Sequence, residues 1–259
     1  MRYFIIIITF LLTHVSGVQG QYGSNFDTTF GSVKFSTVFD TANYETRFTV
    51  SSNGKTVYKE TLTDNVYEIL HEAFQSGDKK YFLIHLFSGG AHCCSSLLIA
   101  EMRGEKYVVL DTGFYGNSGF TIEDMNKDGT KEIVSGNDMF AYAFTNYAET
   151  RFPLRVQKFE GGKLTEITGN FKSDIIYELG FFEEDLNEFI KEGFACPEKD
   201  DEDTFNSDAG SVKTILAAIV ADYFSLGQVE RGYELVERVY KCVDKDNYIK
   251  ILKEDFKLK

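Results

Sequence analysis

The first half of the chain is a succession of short segments in which apolar and polar residues alternate. Two such segments, residues 32–40 and 44–50, precede Asn53-Gly54, and another strand-like segment follows directly. Asn-Gly accepts the positive φ angles of a type I′ turn, so this dipeptide predicts a β-hairpin. The chain contains only 2 prolines, neither inside these segments, so sheet ladders can run without interruption. Together these features predict antiparallel sheets.

Strand-like segments continue to about residue 170. Gly161-Gly162 separates the last two and predicts another hairpin. The segments are 81–87, 97–101, 107–111, 132–135, 139–145, 154–159 and 163–168. We therefore assign residues 21–170 to a β domain.

Residues 171–259 have helical spacing instead. From Ser211 onward apolar residues recur at intervals of three and four, and Gly227 follows as a C-terminal cap. A second helix is predicted over 229–241 and a short third one over 247–256. The expected fold is mainly β, an antiparallel sandwich or partial propeller-like sheets, followed by a C-terminal α-helical hairpin.

Two segments of this region have less regular patterns. Residues 173–191 are mixed, with helical spacing only from Leu186 to Ile190. Residues 198–203 are a charge run without an apolar side chain, which is typical of an exposed loop.

The N-terminus has the pattern of a secretory signal peptide. Arg2 precedes an apolar run over residues 4–12, and Gly20 is small enough for a cleavage site. The run, at about nine residues, is short for a membrane span, and an uncleaved anchor is the alternative. We predict a signal peptide over residues 1–20, cut after Gly20 or else after Gly17. The protein is then secreted or periplasmic, with no membrane span after cleavage.

The chain is acidic, with a formal net charge of −13. Such a surface repels phosphate backbones, so no nucleic-acid partner is expected. It also disfavours docking on anionic lipid.

Oxygen-bearing side chains are concentrated in residues 124–132, Asp-Met-Asn-Lys-Asp-Gly-Thr-Lys-Glu. Positions 1, 3, 5 and 9 of this segment surround a glycine, and Ca²⁺ takes six to eight oxygen ligands. We predict a structural Ca²⁺ site. Its ligands are the side chains of Asp124, Asn126, Asp128 and Glu132 and the carbonyl of Thr130. The alternative is an acidic turn without a metal.

The segment differs from an EF-hand loop. An EF-hand carries glutamate at position 12, which here is Ser135, and has helices on both sides. The flanking residues 119–122 and 133–134 are strand-like instead. The segment is therefore predicted to be a compact turn between two strands.

Residues 124–133 resemble the calcium loop of FG-GAP and VCBS-type repeats, the units of integrin-like β-propellers. The likeness covers residues 120–140, and it implies a structural ion. Residues 77–84 align with 128–135 as a faint first copy that lacks the acidic spacing. Two copies are too few to close a propeller of four or more blades, which favours a sandwich or a partial propeller.

A broader likeness covers most of the mature chain. Ser88-Gly-Gly-Ala-His-Cys-Cys94, the acidic loop, residues 140–148 and the helix at 215–227 resemble an uncharacterised family of bacterial secreted or envelope proteins. That likeness implies no activity.

The four cysteines are expected to form disulfides in an oxidising compartment. Cys196 and Cys242 flank a helical segment, which favours pairing them and leaves a vicinal Cys93–Cys94 bond. The alternative is that Cys93 and Cys94 each reach one distant cysteine.

The segment 88–94 has four interpretations. Cys93 or Cys94 could be a nucleophile with His92 or His85 as its base, or the cysteines and His92 could hold zinc. The interpretation we favour is a tight glycine turn closed by a disulfide. A glycine-rich ligand loop is a further alternative.

Residues 140–152 are rich in aromatic side chains. An exposed aromatic ladder could bind glycans or peptide, but alternation up to Phe144 favours sheet core. Asn137 and Asp138 either cap the following turn or add a ligand to the ion.

The pattern as a whole favours a non-catalytic, calcium-stabilised binding or structural module with a protein or glycan partner. The alternative is a secreted hydrolase that uses acidic or His/Cys residues near Ser88–Cys94. Carboxylates such as Glu101, Asp111 and Glu123 are available, but the sequence pairs none of them. No Gly-x-Ser-x-Gly or His-Glu-x-x-His motif is present.

Overall fold

The computed structural model describes residues 17–19, 25–76, 79–89 and 93–259. Over these residues, 13 strands form three antiparallel sheets and 4 α-helices follow them. The predicted mainly β architecture with a C-terminal helical part is confirmed. His92, the predicted turn at Gly77-Asp78 and all of the predicted signal peptide except residues 17–19 lie outside the described residues.

The strands fall into one sheet of five and two sheets of four. The five-stranded sheet has the order β1-β6-β7-β8-β9, and the others are β2-β3-β4-β5 and β10-β11-β12-β13. The strands are β1 Gly17–Gln19, β2 Phe26–Phe30, β3 Val33–Asp40, β4 Glu45–Ser52, β5 Lys55–Leu62, β6 Asn65–Ser76, β7 Lys79–Phe87, β8 Ser95–Arg103, β9 Lys106–Gly116, β10 Thr121–Glu123, β11 Glu132–Gly136, β12 Leu154–Glu160 and β13 Lys163–Glu166.

The five-stranded sheet is buried on both faces. Successive side chains of a strand point to opposite faces. In β7, Phe82 and Ile84 pack in a cluster shared with β2–β5. Tyr81 and Leu83 pack in a second cluster that includes Ile133 and Phe159 of the β10–β13 sheet. The three sheets therefore form a stack with this one in the middle.

The hairpins predicted from glycine-containing turns are confirmed. Asn53 and Gly54 have φ angles of 50° and 78° and join β4 to β5, as a type I′ turn requires. Gly161 and Gly162 also have positive φ and join β12 to β13.

The strand predicted over residues 139–145 is wrong. The structure has a short 3-10 helix, Asp138–Phe140, followed by turns. Phe140 and Phe144 are buried against helices instead of sheets, and both rings contact Phe256. The spacing of Phe140 and Phe144 is compatible with an alternating strand and also with a turn that buries both rings, so the sequence pattern does not distinguish the two. The sheet-core interpretation of this segment is therefore also wrong.

The helical part consists of α1 Lys172–Glu192, α2 Asp208–Ser225, α3 Val229–Val239 and α4 Lys245–Glu254. The central helix is α2, in which every residue from Ala209 to Tyr223 is buried. The hydroxyl of Ser207 caps its N-terminus by accepting a hydrogen bond from the amide of Gly210. None of the helices in the described ranges is both long and apolar enough to cross a membrane.

The first helix begins earlier than its sequence pattern suggested. Its 21 residues include the mixed segment, and one stripe faces the interior. That stripe contains Ile175, Leu179, Phe182 and Leu186. The predicted helical hairpin corresponds to α2 and α3, and α1 and α4 pack beside it.

A disulfide joins Cys196, in the segment before α2, to Cys242, in the segment after α3. Their Cα atoms are 5.2 Å apart and their separation in the sequence is 46. The acidic run 198–203 follows Cys196 and is exposed, as predicted.

The buried helix α2 carries two charged residues. Lys213 forms an ion pair with Asp244. Asp222 lies against Glu178 of α1, and the two carboxyl groups share a hydrogen bond. Burial raises the pKa of Asp222 above its ordinary value of 3.8, and the negative charge of Glu178 makes a further, smaller contribution in the same direction. Burial also raises the pKa of Glu178, against a hydrogen bond from the Leu154 amide.

We predict that Asp222 makes the free energy of unfolding fall as pH rises from 5 to 8. The unfolded chain ionises this carboxyl above about pH 4, whereas the folded chain keeps the proton until its raised pKa is reached. The slope is at most about 1.4 kcal/mol per pH unit. Asp222→Asn removes it, so the variant gains stability over the wild type as pH rises. Urea titrations at several pH values measure the difference.

The control is Glu184→Gln, which removes an exposed acid from α1. This variant should keep the pH profile of the wild type. If the free energy of unfolding changes with pH in the same way in the wild type and in Asp222→Asn, Asp222 does not keep its proton in the folded chain.

Candidate metal site and neighbouring loops

The acidic loop closes the hairpin between β10 and β11. Glu123 and Glu132 are partners in the antiparallel register, so residues 124–131 form its tip. Lys127 and Gly129 have φ angles of 60° and 88°. The predicted turn between two strands is therefore present.

The four predicted side-chain ligands turn inward onto backbone amides of the same loop. The two oxygens of Asp124 accept hydrogen bonds from the amides of Asp128 and Gly129, at 3.0 and 2.9 Å. One oxygen of Asp128 accepts from the Thr130 amide at 2.7 Å. Glu132 Oε2 accepts from the Met125 amide at 3.1 Å. The remaining ligand, Asn126, accepts from the Asp128 amide at 3.0 Å.

Glu132 is the buried member of this set, with 2% of its surface exposed. Burial raises the pKa of its carboxyl, and the negative charges of Asp128 and Asp124 raise it further. The Met125 amide and Lys158 oppose this shift. The hydrogen bond from the Thr130 amide lowers the pKa of the exposed Asp128.

The carboxylates hold the turn instead of converging on one point. In residues 25–76, 79–89 and 93–259, no group of three or more His, Cys, Asp or Glu side chains is arranged to hold a metal ion. Coordination by Asp124, Asp128 and Glu132 therefore requires their carboxylates to exchange amide hydrogen bonds for the ion.

The two ends of the second candidate segment, Ser88 and Cys94, are hydrogen-bonded to each other. The Ser88 amide donates to the Cys94 carbonyl at 3.1 Å, and the Cys94 amide donates to the Ser88 hydroxyl at 2.6 Å. A disulfide joins Cys93 to Cys94. That bond leaves neither sulfur as a thiolate, which both a cysteine nucleophile and a zinc site need.

His85 packs beside this loop between two aromatic rings. The centroids of Tyr67 and Phe120 lie 5.0 and 4.6 Å from its own. Its Nε2 lies 3.3 Å from the Ser95 hydroxyl. Burial lowers the pKa of His85 to about 4, so its ring is neutral at pH 7.

The three candidate carboxylates for a hydrolase are engaged separately. Glu101 forms an ion pair with Arg103. The two oxygens of Asp111 accept from the amides of Thr112 and Leu164. Glu123 accepts from Thr121.

A turn that the sequence analysis did not single out links two sheets. Residues 117–120 follow β9, and Asp138 accepts hydrogen bonds from the Asn117 amide at 2.6 Å and from its side chain at 3.3 Å. Asn137 caps the 3-10 helix through the Met139 amide. Asn137 and Asp138 therefore serve turns beyond the end of β11, whereas the acidic loop precedes its start. Only the closely spaced glycines at 116 and 119 hinted at this turn.

The chain resembles two curated proteins in part. It is 26% identical over 160 residues to a probable thylakoid lumen protein of Synechocystis sp., covering 61% of this chain and 43% of that protein. It is 28% identical over 81 residues to an uncharacterised protein of Sinorhizobium fredii, covering 31% of this chain and 13% of that protein. The matches thus span less than half of either relative. The chain matches no family model and no solved structure.

We predict that Gly116→Ala destabilises the protein strongly. A Cβ at this position would lie 1.8 Å from Asp138 Oδ2, and φ is +47°. The clash displaces Asp138 from the Asn117 amide and should cost about 1–3 kcal/mol beyond the cost of the positive φ. Chemical denaturation measures the loss.

Gly31→Ala is the matched control, because φ there is +60° and nothing lies within 4 Å of the added Cβ. Equal losses in the two variants would show that the contact with Asp138 does not matter.

Proposed function

We propose that the chain is a secreted or periplasmic, non-catalytic binding module whose β10–β11 hairpin is stabilised by a structural Ca²⁺ ion. The observation that carries the proposal is that four oxygen-bearing side chains, Asp124, Asn126, Asp128 and Glu132, lie within one hairpin tip. Oxygen ligands on a tight turn are the donor set that Ca²⁺ prefers.

Charge supports the ion. Glu132 is almost fully buried, and two further carboxylates stand in the same turn. Lys158 is a nearby cation but opposes only part of this charge. A divalent cation would offset the rest, with the Thr130 carbonyl as a fifth ligand.

The resemblance to FG-GAP and VCBS-type loops supports a structural role. In those repeats the ion fixes a turn that leads into an apolar strand. Here Ile133 follows the loop and is fully buried in the core between two sheets. An ion at the tip would hold this strand in register, which is a stabilising role and not a catalytic one.

Two observations favour a location outside the cytoplasm. One relative is named as a probable thylakoid lumen protein. Two disulfides join the four cysteines, and such bonds persist in oxidising compartments. They agree with the signal peptide expected at the N-terminus.

The arrangement of candidate catalytic groups favours binding over hydrolysis. Cys93 and Cys94 are joined to each other, and Glu101, Asp111 and Glu123 are each engaged with different partners. The partner of the module is then a protein or a glycan, because the acidic surface disfavours nucleic acid.

We predict that Ca²⁺ raises the melting temperature relative to EGTA. At 100 times the dissociation constant, binding to the folded state alone adds about 2.7 kcal/mol. For a domain of this size that is a shift of roughly 5–10 °C. Calorimetry of the protein with Ca²⁺ and with EGTA measures it.

Asp124→Ala should melt at the same temperature with Ca²⁺ as with EGTA. The control is Asp40→Ala, which removes similar amide contacts with Ala42 and Asn43 in another turn. It should keep the full calcium shift. If the wild-type protein melts at the same temperature in Ca²⁺ and in EGTA, the proposed Ca²⁺ site is wrong.

A further inference from the structure

A groove of about 580 Å³ lies where the end of β9 meets β12, β13 and the 3-10 helix. We call it the β9–β12 groove. Its walls include Phe114, Asn137, Met139, Arg155, Gln157 and Glu166. It adjoins the end of β11 opposite the acidic loop, since Asn137 directly follows that strand.

The groove is flanked by exposed apolar surface. Phe114 is 57% exposed and Met139 is 55% exposed. The next residue, Tyr115, is fully buried and lies at a register shift in the pairing of β8 with β9. An exposed aromatic ring beside polar groups offers a large apolar contact surface to a ligand.

The polar walls are oriented by contacts within the protein. Gln157 is buried, and its Oε1 accepts a hydrogen bond from the Tyr115 hydroxyl at 3.0 Å. Asn137 Oδ1 accepts from the Met139 amide at 3.2 Å. In both side chains the amide oxygen is thus already engaged as an acceptor. Among the described residues neither NH₂ group has a hydrogen-bond partner, so each can donate to a ligand. Fixed donors of this kind lose little entropy when a ligand binds.

The groove walls carry three charged side chains: Arg155 is paired with Glu166, and the carboxylate of Asp138 accepts hydrogen bonds from Asn117. Arg155 Nε lies 3.5 Å from Glu166 Oε2, and Arg155 Nη1 lies 3.4 Å from the Phe114 carbonyl. A paired cation and anion favour a neutral ligand over a strongly charged one. Hydroxyl groups both donate and accept, so they match a wall that holds amide donors and a carboxylate acceptor.

An extended peptide fits the groove less well. Peptides that extend a sheet need a free strand edge. Here the edge strands β9 and β13 contact each other, and the Leu164 amide already donates to the side chain of Asp111 at 2.6 Å, which leaves less of these edges for a peptide.

We propose that the β9–β12 groove binds a neutral oligosaccharide, with a sugar ring on Phe114 and its hydroxyls on Asn137, Gln157 and the Arg155–Glu166 pair. This inference rests on the proposed binding function and names its ligand class. A pocket of several hundred Å³ with an aromatic wall and a few oriented polar groups is typical of small-molecule sites.

The test is calorimetric titration of the purified protein with neutral hexasaccharides, namely cellohexaose, fully N-acetylated chitohexaose, mannohexaose and xylohexaose. At least one should bind with a dissociation constant below about 1 mM, the weak end of the usual affinity scale. Phe114→Ala should weaken that binding about tenfold or more, as expected for a central aromatic contact.

Asn137→Asp is the second variant. It keeps the oxygen that caps the 3-10 helix and replaces the NH₂ donor by a charged acceptor, so it should also weaken binding about tenfold. Tyr177→Ala is the control, because Tyr177 is 71% exposed on α1, outside the groove. It should leave the dissociation constant unchanged.

The inference is overturned if none of the four hexasaccharides binds, or if neither Phe114→Ala nor Asn137→Asp changes the dissociation constant. Binding of an unstructured peptide alone would also overturn it. In each of these cases the calcium shift in melting temperature reports separately on the metal proposal, so the two failures can be told apart.

Discussion

Burial of the five-stranded sheet on both faces is the constraint on which the rest of the β part depends. Tyr81 and Leu83 face one neighbouring sheet, and Phe82 and Ile84 face the other. A shift of the register by one residue would exchange the two sets and leave both interfaces mismatched. The sheets on either side are thus positioned through β7 and β8. The hairpin with the acidic loop packs against this sheet through Ile133.

Strand β11 relates the two proposed sites. It begins at Glu132 in the acidic loop and ends at Gly136, next to Asn137 in the groove. Five residues of strand span about 17 Å. An ion bound at one end would lie too far away to touch a ligand at the other. It would instead limit movement of the strand that carries Asn137. Metal and ligand are therefore expected to be coupled through stability and not through contact.

Much of the fold could be predicted from local patterns. The residue types of Asn53-Gly54 and Gly161-Gly162 favour the positive φ angles that these turns have. Apolar residues recur at helical spacing along the whole of α2. The strand predicted around Phe140 was wrong because two aromatic residues four positions apart fit the two-residue repeat of a strand as well as a turn. Which one applies depends on Phe256, more than a hundred residues away. The groove could not be predicted either. It joins β9 to β12 and β13, and local patterns do not reveal that Phe114 is exposed while Tyr115 is buried.

The bond between Cys196 and Cys242 has a consequence for a protein exposed to proteases. The acidic run at 198–203 is an exposed part of the covalent ring that this bond closes. A cut within that run would leave both fragments joined through the disulfide. The hydrophobic cluster around the buried helix α2 includes no residue of this run. This exposed acidic segment can therefore be cut while a covalent bond still holds α2 to the rest of the chain.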